Sequence, residues 1–302
     1  MRPRLLLCLL ALSACGGGNE APPVTELTRE VRTSFYPLAY FAERLVGDTV
    51  PVVCVLEADE EPSNWSPSRD ELASLQAAEL VVLHGAGLES WAERSSLASS
   101  RTLITTEGWE DRLLSFEEPV THSHGPGGEH THFGVDAHTW LDPLMAIDEV
   151  RALAHGLTER FEGLPPTLKD RREALEAELK ALDRQFKSQL SGEAIKGVRL
   201  FAAQPIYHYL SSRYGWEIID LNLSLDKAPS DDLMEKLLDP EDSGRRPICL
   251  WQREARKAAK GALSLVGVTN VVFDPAEAPP EAGDYFSVMR ANIERLTEAI
   301  ER

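Results

Sequence analysis

The chain has 302 residues, enough for two domains of ordinary size. Its 31 Lys and Arg against 49 Asp and Glu give a net charge of −18. That balance argues against a nucleic-acid binder, because binding phosphates needs a basic face. It is compatible with a cationic ligand, although most acidic surfaces only keep a protein soluble. A hydrophobic content of 43% and a charged content of 26% are ordinary for a globular protein.

The N-terminus predicts an export signal rather than part of the fold. Two arginines precede an apolar run at 5–12, which is far too short to span a bilayer. Residues 12–15, Leu-Ser-Ala-Cys, resemble a bacterial lipobox, which implies that Cys15 is lipidated and becomes the mature N-terminus. The alternative is an ordinary secretory signal with a chance cysteine. We therefore expect a lipoprotein signal peptide at 1–14, a flexible tether at 15–26, and a location on the periplasmic face or the cell surface.

Short apolar strands alternate with helices along the rest of the chain. Strands are predicted at 31–35, 50–56, 79–84, 102–105, 198–203, 216–221, 247–251 and 270–273. Shorter helices are predicted after Pro37, after a capping box at Ser68 and Glu71, within 85–97, and at 205–214, 230–238, 255–266 and 286–300. This alternation is typical of parallel sheets covered by helices on both faces. The predicted fold is therefore α/β, with two lobes that are each a mainly parallel sheet flanked by helices.

Two longer helical patterns separate the halves, one at 143–161 and one that ends near Leu190. The second has an apolar stripe, a charged opposite face and no internal glycine. We interpret it as a rigid connection between the lobes, although a plain amphipathic surface helix has the same pattern. The predicted domains are an N-terminal lobe at 27–142, inter-lobe helices at 143–192 and a C-terminal lobe at 193–302.

Five of the eight histidines lie between residues 122 and 144. Four of them occupy a Gly-rich stretch that is a poor helix or strand: His122, His124, His130 and His132. Clustered histidines in a flexible tract indicate metal capture, because neutral imidazole is the commonest side-chain ligand for metals such as zinc. A solvated loop that is merely rich in histidine has the same composition. The fifth, His138, stands just before the turn at Asp142 and Pro143.

The alternating pattern also predicts where a ligand binds. In open parallel sheets, ligands lie beyond the carboxyl ends of the strands. This rule selects the loop at 57–64, Gln204 and Asp274, while His138 lies at the start of the inter-lobe helices. A cleft between two lobes could bring these positions together.

Several segments resemble the zinc/manganese-type solute-binding lipoproteins of bacterial ABC transporters, the cluster A-I or ZnuA-like group. Besides the His-rich loop, they are SFYPLAYFAERLVGD, LASLQAAELVVLHGAGLESW, AHTWLDPLMA, IYHYLSSRYGW and VVFDPAEAPPEAGDYFSVMRANIERL. The resemblance covers almost the whole mature chain. It implies two lobes joined by a rigid helix, a metal ion in the cleft, and delivery of that ion to a membrane permease. The expected ion is Zn²⁺, with Mn²⁺ as the alternative, and the expected state is a monomer.

The resemblance also implies four metal ligands. Two of the positions match, as His138 and Asp274, whereas Ser63 and Gln204 stand where the family places histidines. We carry all four forward as candidate ligands. The structural alternatives are a capped or core histidine at His138 and a turn aspartate at Asp274.

Other side chains could compensate for the two missing imidazoles. Asn64, Glu60 or Glu61 could supply oxygen near Ser63, and His208 lies one helical turn from Gln204. A histidine of the His-rich loop, or water, could also complete the shell. Because zinc gains little from amide oxygens, such a set would bind zinc more weakly or favour a harder ion such as Mn²⁺.

The sequence favours a receptor over an enzyme. It contains no HExxH helix, GxSxG elbow or GxxxxGK(S/T) loop, so a metallohydrolase centred on His138 and Asp274 is the least favoured hypothesis. The main alternative is a degenerate relative, a surface-anchored interaction or sensing lipoprotein on the same scaffold. The replacements at Ser63 and Gln204 motivate that alternative.

Overall fold

The computed structural model describes residues 27–57, 60–115, 120–123, 129–132, 134–237 and 244–302. The predicted signal peptide and tether, with Cys15, lie outside these ranges, and so does His124. Among the described helices, none combines the length and the apolar character that a membrane span requires.

The N-terminal lobe is built on a four-stranded parallel sheet. Its strands, in the spatial order β2-β1-β3-β4, are β1 (Thr28–Thr33), β2 (Val52–Cys54), β3 (Ala78–Leu83) and β4 (Thr102–Ile104). The central β3 is a nearly continuous apolar run, as expected of a strand covered on both faces.

Two helices of this lobe begin and end where the sequence indicates. Helix α1 (Tyr36–Val46) has proline in its first turn and ends at Gly47, whose φ of 57° suits glycine. Helix α2 (Arg69–Ala77) opens with the predicted capping box, in which Ser68 and Glu71 each accept the other's backbone N–H.

The C-terminal lobe has the same architecture. Its parallel sheet has the order β10-β9-β7-β8 and consists of β7 (Val198–Ala202), β8 (Ile218–Asp220), β9 (Arg246–Trp251) and β10 (Thr269–Val272). The helices of this lobe are α5 (Glu193–Lys196), α6 (His208–Tyr214), α7 (Asp231–Leu237), α8 (Lys257–Leu265) and α9 (Tyr285–Glu301). The prediction of two α/β lobes with parallel sheets is confirmed.

Two long helices connect the two sheets along the chain, α3 (Pro143–Arg160) and α4 (Leu168–Gln189). Helix α4 buries the stripe Leu175, Leu179, Leu182 and Phe186. It packs against α1 and α3 and also against α9 of the C-terminal lobe. The long helix therefore contacts both lobes, while the proposed domain boundaries stay a prediction.

The helix predicted within 85–97 is absent from the structure, so that prediction was wrong. Gly85, Ala86 and Gly87 all have positive φ angles, of 88°, 51° and 80°, which interrupt any helix there. Only a short 3₁₀ turn, Ala92–Arg94, forms.

The prediction that the His-rich stretch is a poor strand was also wrong. Strands β5 (Val120–Ser123) and β6 (Glu129–His132) pair antiparallel, and they include His122, His130 and His132. Val120 and the threonines of these segments favour strands, and the pairing satisfies backbone groups locally.

Candidate metal centre

His138 lies in a segment that is fixed between the two lobes. The residue is 3% exposed and directly precedes a 3₁₀ turn at Thr139–Leu141. Within that turn, the fully buried Trp140 donates its indole N–H to the carbonyl oxygen of Pro275, at 2.8 Å. Tyr285 donates its hydroxyl to the carbonyl oxygen of Trp140, at 2.6 Å. Because Pro275 and Tyr285 belong to the C-terminal half, both lobes hold the segment that carries His138.

The imidazole of His138 is oriented by two carboxylates. Its Nδ1 lies 2.6 Å from Asp136 Oδ1, which also accepts the backbone N–H of His138. Its Nε2 lies 3.3 Å from Glu277 Oε1. Two donor atoms that are each about 2.0–2.1 Å from a tetrahedral zinc ion lie roughly 3.3–3.4 Å apart. The separation of Nε2 and Oε1 matches that spacing.

The charges around His138 favour its protonated form in the absence of a metal. Burial alone would lower the pKa of His138, but the nearby Asp136 and Glu277 outweigh it and raise the pKa to about 9. Burial likewise opposes ionisation of Asp136, yet His138 and His208 hold the pKa of that carboxyl well below its usual range. Metal binding at Nε2 must therefore displace a proton at neutral pH.

These pKa shifts predict how stability depends on pH. The pKa values of His138 and His208 rise to about 9 and about 10 in the folded protein, above an unfolded value near 6.5. Their stabilisation is thus complete below about pH 6.5 and is lost as the pH rises through 9 to 10. For the buried His138 the loss reaches at most about 3 kcal/mol. Urea unfolding of metal-stripped protein at pH 6.5, 8 and 9.5 measures it.

The control for this pH series is His138→Gln, which removes the titrating ring. Because other groups also titrate above pH 9, the difference between the wild type and this variant is the quantity to compare. Parallel losses of stability in the two proteins would contradict the assignment.

A cavity of about 240 Å³ lies beside Glu277, and both lobes line it. Glu60 and Glu61 come from the loop after β2, and Asp274 and Arg253 follow the C-terminal strands β10 and β9. Arg253 forms an ion pair with Glu61 across the cavity. The cavity thus lies beyond the carboxyl ends of strands in both sheets, where the fold predicts a ligand.

Asp274 has a structural role at the end of β10. Its Oδ1 accepts the backbone N–H of Ala276 at 2.7 Å, and its own N–H donates to Asn292 Oδ1 at 2.9 Å. Burial raises the pKa of its carboxyl. The turn role expected as the alternative is present, and because Asp274 also lines the cavity, its ligand role stays a prediction.

Ser63 and Gln204 occupy the two positions where the resemblance implies histidines, so these positions supply no imidazole to the site. Ser63 lies half-buried in a turn at 62–64, close in sequence to Glu61. Gln204 is buried, and its amide nitrogen donates to the carbonyl oxygen of Leu223 within its own lobe. Among the residues that the structure describes, no group of three or more His, Cys, Asp or Glu side chains could hold a metal ion as it stands. The roles of Ser63 and Gln204 as ligands therefore stay predictions.

His208 reaches the site indirectly. Its Nδ1 lies 2.9 Å from Asp136 Oδ2, and its Nε2 lies 2.8 Å from Asp220 Oδ2. The imidazole expected to compensate for Gln204 is thus hydrogen-bonded to the carboxylate that orients His138.

Two residues of this candidate site, Asp136 and Glu277, were not predicted from the sequence. Asp136 precedes His138 by two residues, and a carboxylate commonly accepts the second ring N–H of a metal-binding histidine. Glu277 follows Asp274 by three residues in the same strand-end loop. Both positions are visible in the sequence. Only the folded structure shows that each carboxylate contacts His138.

The chain is similar to known zinc-uptake proteins. The sequence model of the periplasmic component A of zinc-uptake complexes, ZnuA, matches residues 31–299. The chain belongs to the ZnuA family. It is 28% identical over 308 residues to the zinc-binding lipoprotein AdcA of Streptococcus pneumoniae, covering 98% of this chain and 60% of that protein. It is 24% identical to the high-affinity zinc uptake protein ZnuA of Bacillus subtilis, covering 97% of this chain and 95% of the relative.

A solved structure shares the fold of this ZnuA-family chain. The Zn(II)-bound ZnuA-like domain of Streptococcus pneumoniae AdcA superposes with a TM-score of 0.75 at 24% identity, covering 92% of this chain and all of that domain. The expected family and fold are both confirmed. This chain spans about 60% of the length of AdcA. The properties of AdcA therefore do not by themselves establish which metal ion or which partners this chain binds.

Proposed function

We propose that this protein is the extracytoplasmic receptor of an ABC importer. It captures Zn²⁺ in the cleft between its lobes and delivers the ion to a membrane permease, without chemical turnover. The observation that carries the proposal is His138, held by Asp136 at the junction of the lobes with Nε2 facing Glu277 at 3.3 Å. Membership of the ZnuA family and the zinc-binding names of its relatives support the choice of ion.

The cargo ion would be held by mixed nitrogen and oxygen donors. His138 Nε2 and Glu277 Oε1 are the first two; Glu277 lines the cavity between the lobes, and His138 contacts Glu277. Asp274, the amide oxygen of Gln204, the hydroxyl of Ser63 and water are the remaining candidates. A set with one imidazole holds zinc less tightly than a set with three, and it suits Mn²⁺ better, so Mn²⁺ is the alternative cargo.

The His-rich hairpin would act as an auxiliary capture element. In its register His122 lies directly opposite His130, and His132 lies opposite Val120. Directly opposed positions on antiparallel strands are neighbours, so the hairpin places the backbone positions of His122 and His130 next to each other. With His124, these residues would raise the local metal concentration.

The receptor would be anchored by lipid at Cys15 after removal of residues 1–14, with 15–26 as the tether. It would act as a monomer on the periplasmic face or the cell surface. The family's periplasmic description and the lipoprotein relative support this location.

Calorimetric titration of the metal-stripped protein with Zn²⁺ and Mn²⁺ tests the proposal. We expect one tight zinc equivalent at the cleft and weaker sites that disappear when residues 122–132 are deleted. At pH 7, binding should release about one proton from His138, seen as a dependence of the heat on the buffer. If all binding is weak, multiple and lost with the hairpin, the cleft holds no ion and the interaction lipoprotein becomes the better account.

A further inference from the structure

We propose that His208 is a positioning residue that makes the geometry of His138 depend on the approach of the C-terminal lobe. The inference rests on the proposed function, because His138 is the metal ligand that His208 would position. It goes further by assigning a task to a histidine that the metal site itself does not use.

The first step is the carboxylate that His138 and His208 share. Asp136 is 1% exposed, and its two oxygens serve different rings. Oδ1 lies 2.6 Å from Nδ1 of His138, and Oδ2 lies 2.9 Å from Nδ1 of His208. Because a carboxylate is planar, a partner that fixes Oδ2 also fixes the direction in which Oδ1 accepts from His138.

The second step is that His208 is itself held on its far side. Its Nε2 lies 2.8 Å from Oδ2 of Asp220, at the end of β8. The contact with Asp220, together with the position of His208 at the start of α6, ties this imidazole to the C-terminal lobe. Carboxylates and imidazoles therefore alternate in an unbroken row: Glu277, His138, Asp136, His208 and Asp220.

The third step is that this row crosses between the lobes. His208 begins α6 of the C-terminal lobe, whereas Asp136 lies in the segment that leads from the N-terminal lobe into α3. If the lobes moved apart, Asp136 would lose the partner of Oδ2 and would be held only through Oδ1, by His138 itself. The hydrogen bond that orients His138 would then weaken, so the site would be well formed only when the lobes are close.

A neighbouring contact offers a matched control. Arg213, also on α6, pairs with Asp142 across the same junction, with its Nε 2.7 Å from Asp142 Oδ2. Like the contact of His208, this pair joins α6 to the segment that leads into α3. It differs in that Arg213 contacts Asp142, whereas His208 contacts Asp136. A loss of inter-lobe stability alone should therefore affect Arg213→Gln and His208→Ala alike.

The test measures zinc affinity by competition with a chromophoric chelator in the wild type, His208→Ala, His208→Gln and Arg213→Gln. We expect His208→Ala to weaken zinc binding about tenfold, the lower end for residues that support a ligand. His208→Gln should fall between that variant and the wild type, since its amide can still donate to Asp136. Arg213→Gln should stay within about twofold of the wild type, although both changes remove a contact between the lobes.

A second measurement reports on His138 directly. In metal-free protein, the ring ¹⁵N chemical shifts of His138 should move in both His208 variants and stay in place in Arg213→Gln. If His208→Ala does not fold, His208→Gln carries both measurements.

The outcomes separate the two ideas. Wild-type protein that fails to bind zinc at the cleft would overturn the proposed function, and the positioning role with it. Tight wild-type binding with equal affinities in the His208 and Arg213 variants, and an unmoved His138 ring, would overturn the positioning role alone.

Discussion

Replacing His138 with alanine is expected to weaken zinc binding about a hundredfold or more. The reason is that the Nε2 of His138 faces a carboxylate that lines the cleft, 3.3 Å from Glu277 Oε1, a spacing that suits two ligands of one zinc ion. Loss of a residue that merely supports a ligand costs about 10- to 100-fold in affinity, so loss of the ligand itself should cost at least the upper value. Competition with a chelator of known affinity gives the size of the effect.

Two further variants make this result specific. Glu277→Gln keeps the size of the side chain but removes its charge, so it should also weaken binding, by a smaller factor. His155→Ala is the matched control, since His155 lies on the exposed surface of α3 and pairs there with Glu159. Unchanged affinity in His138→Ala, together with a large loss when the hairpin histidines are replaced, would place the tight site in the hairpin instead.

The sequence predicted the architecture well because the signals for it are local. The apolar run of β3, the proline and glycine that bound α1, and the capping box at Ser68 each act within one turn or strand. Alternation of strands and helices then leaves few arrangements other than two parallel sheets. The local pattern also led to one wrong prediction, the helix expected within 85–97. Positive φ angles in that segment do not fit a helix.

The candidate metal centre was harder to predict because its contacts join distant parts of the chain. Asp136 and His208 are 72 residues apart, and no spacing rule links them. The pairing of His138 with Glu277 depends on how the two lobes meet. Family resemblance led to Asp274, which lines the cavity, whereas the carboxylate in contact with His138 is three residues further on.

Truncating Trp140 to alanine should have the largest effect on stability, lowering the free energy of unfolding by about 3–5 kcal/mol. The side chain is fully buried, and its ring lies 4.6 Å from that of Phe35 and 5.1 Å from that of His138, centre to centre. Its indole N–H also bonds to Pro275 of the other half. The variant would lose packing and leave a buried carbonyl oxygen without this donor. Urea unfolding of metal-stripped protein measures the change.

Trp140→Phe separates the two contributions, because it keeps most of the ring packing and removes only the indole donor. It should cost about 1–3 kcal/mol, the usual penalty for leaving a buried polar group without its partner. Trp109→Ala is the control, since Trp109 is 9% exposed and belongs to a small separate cluster with Met145 and Tyr209. A loss no larger in Trp140→Ala than in Trp109→Ala would mean that the segment carrying His138 is not held by this indole. Both lobes contact Trp140, so the expected loss would also loosen His138 and weaken zinc binding in the same variant.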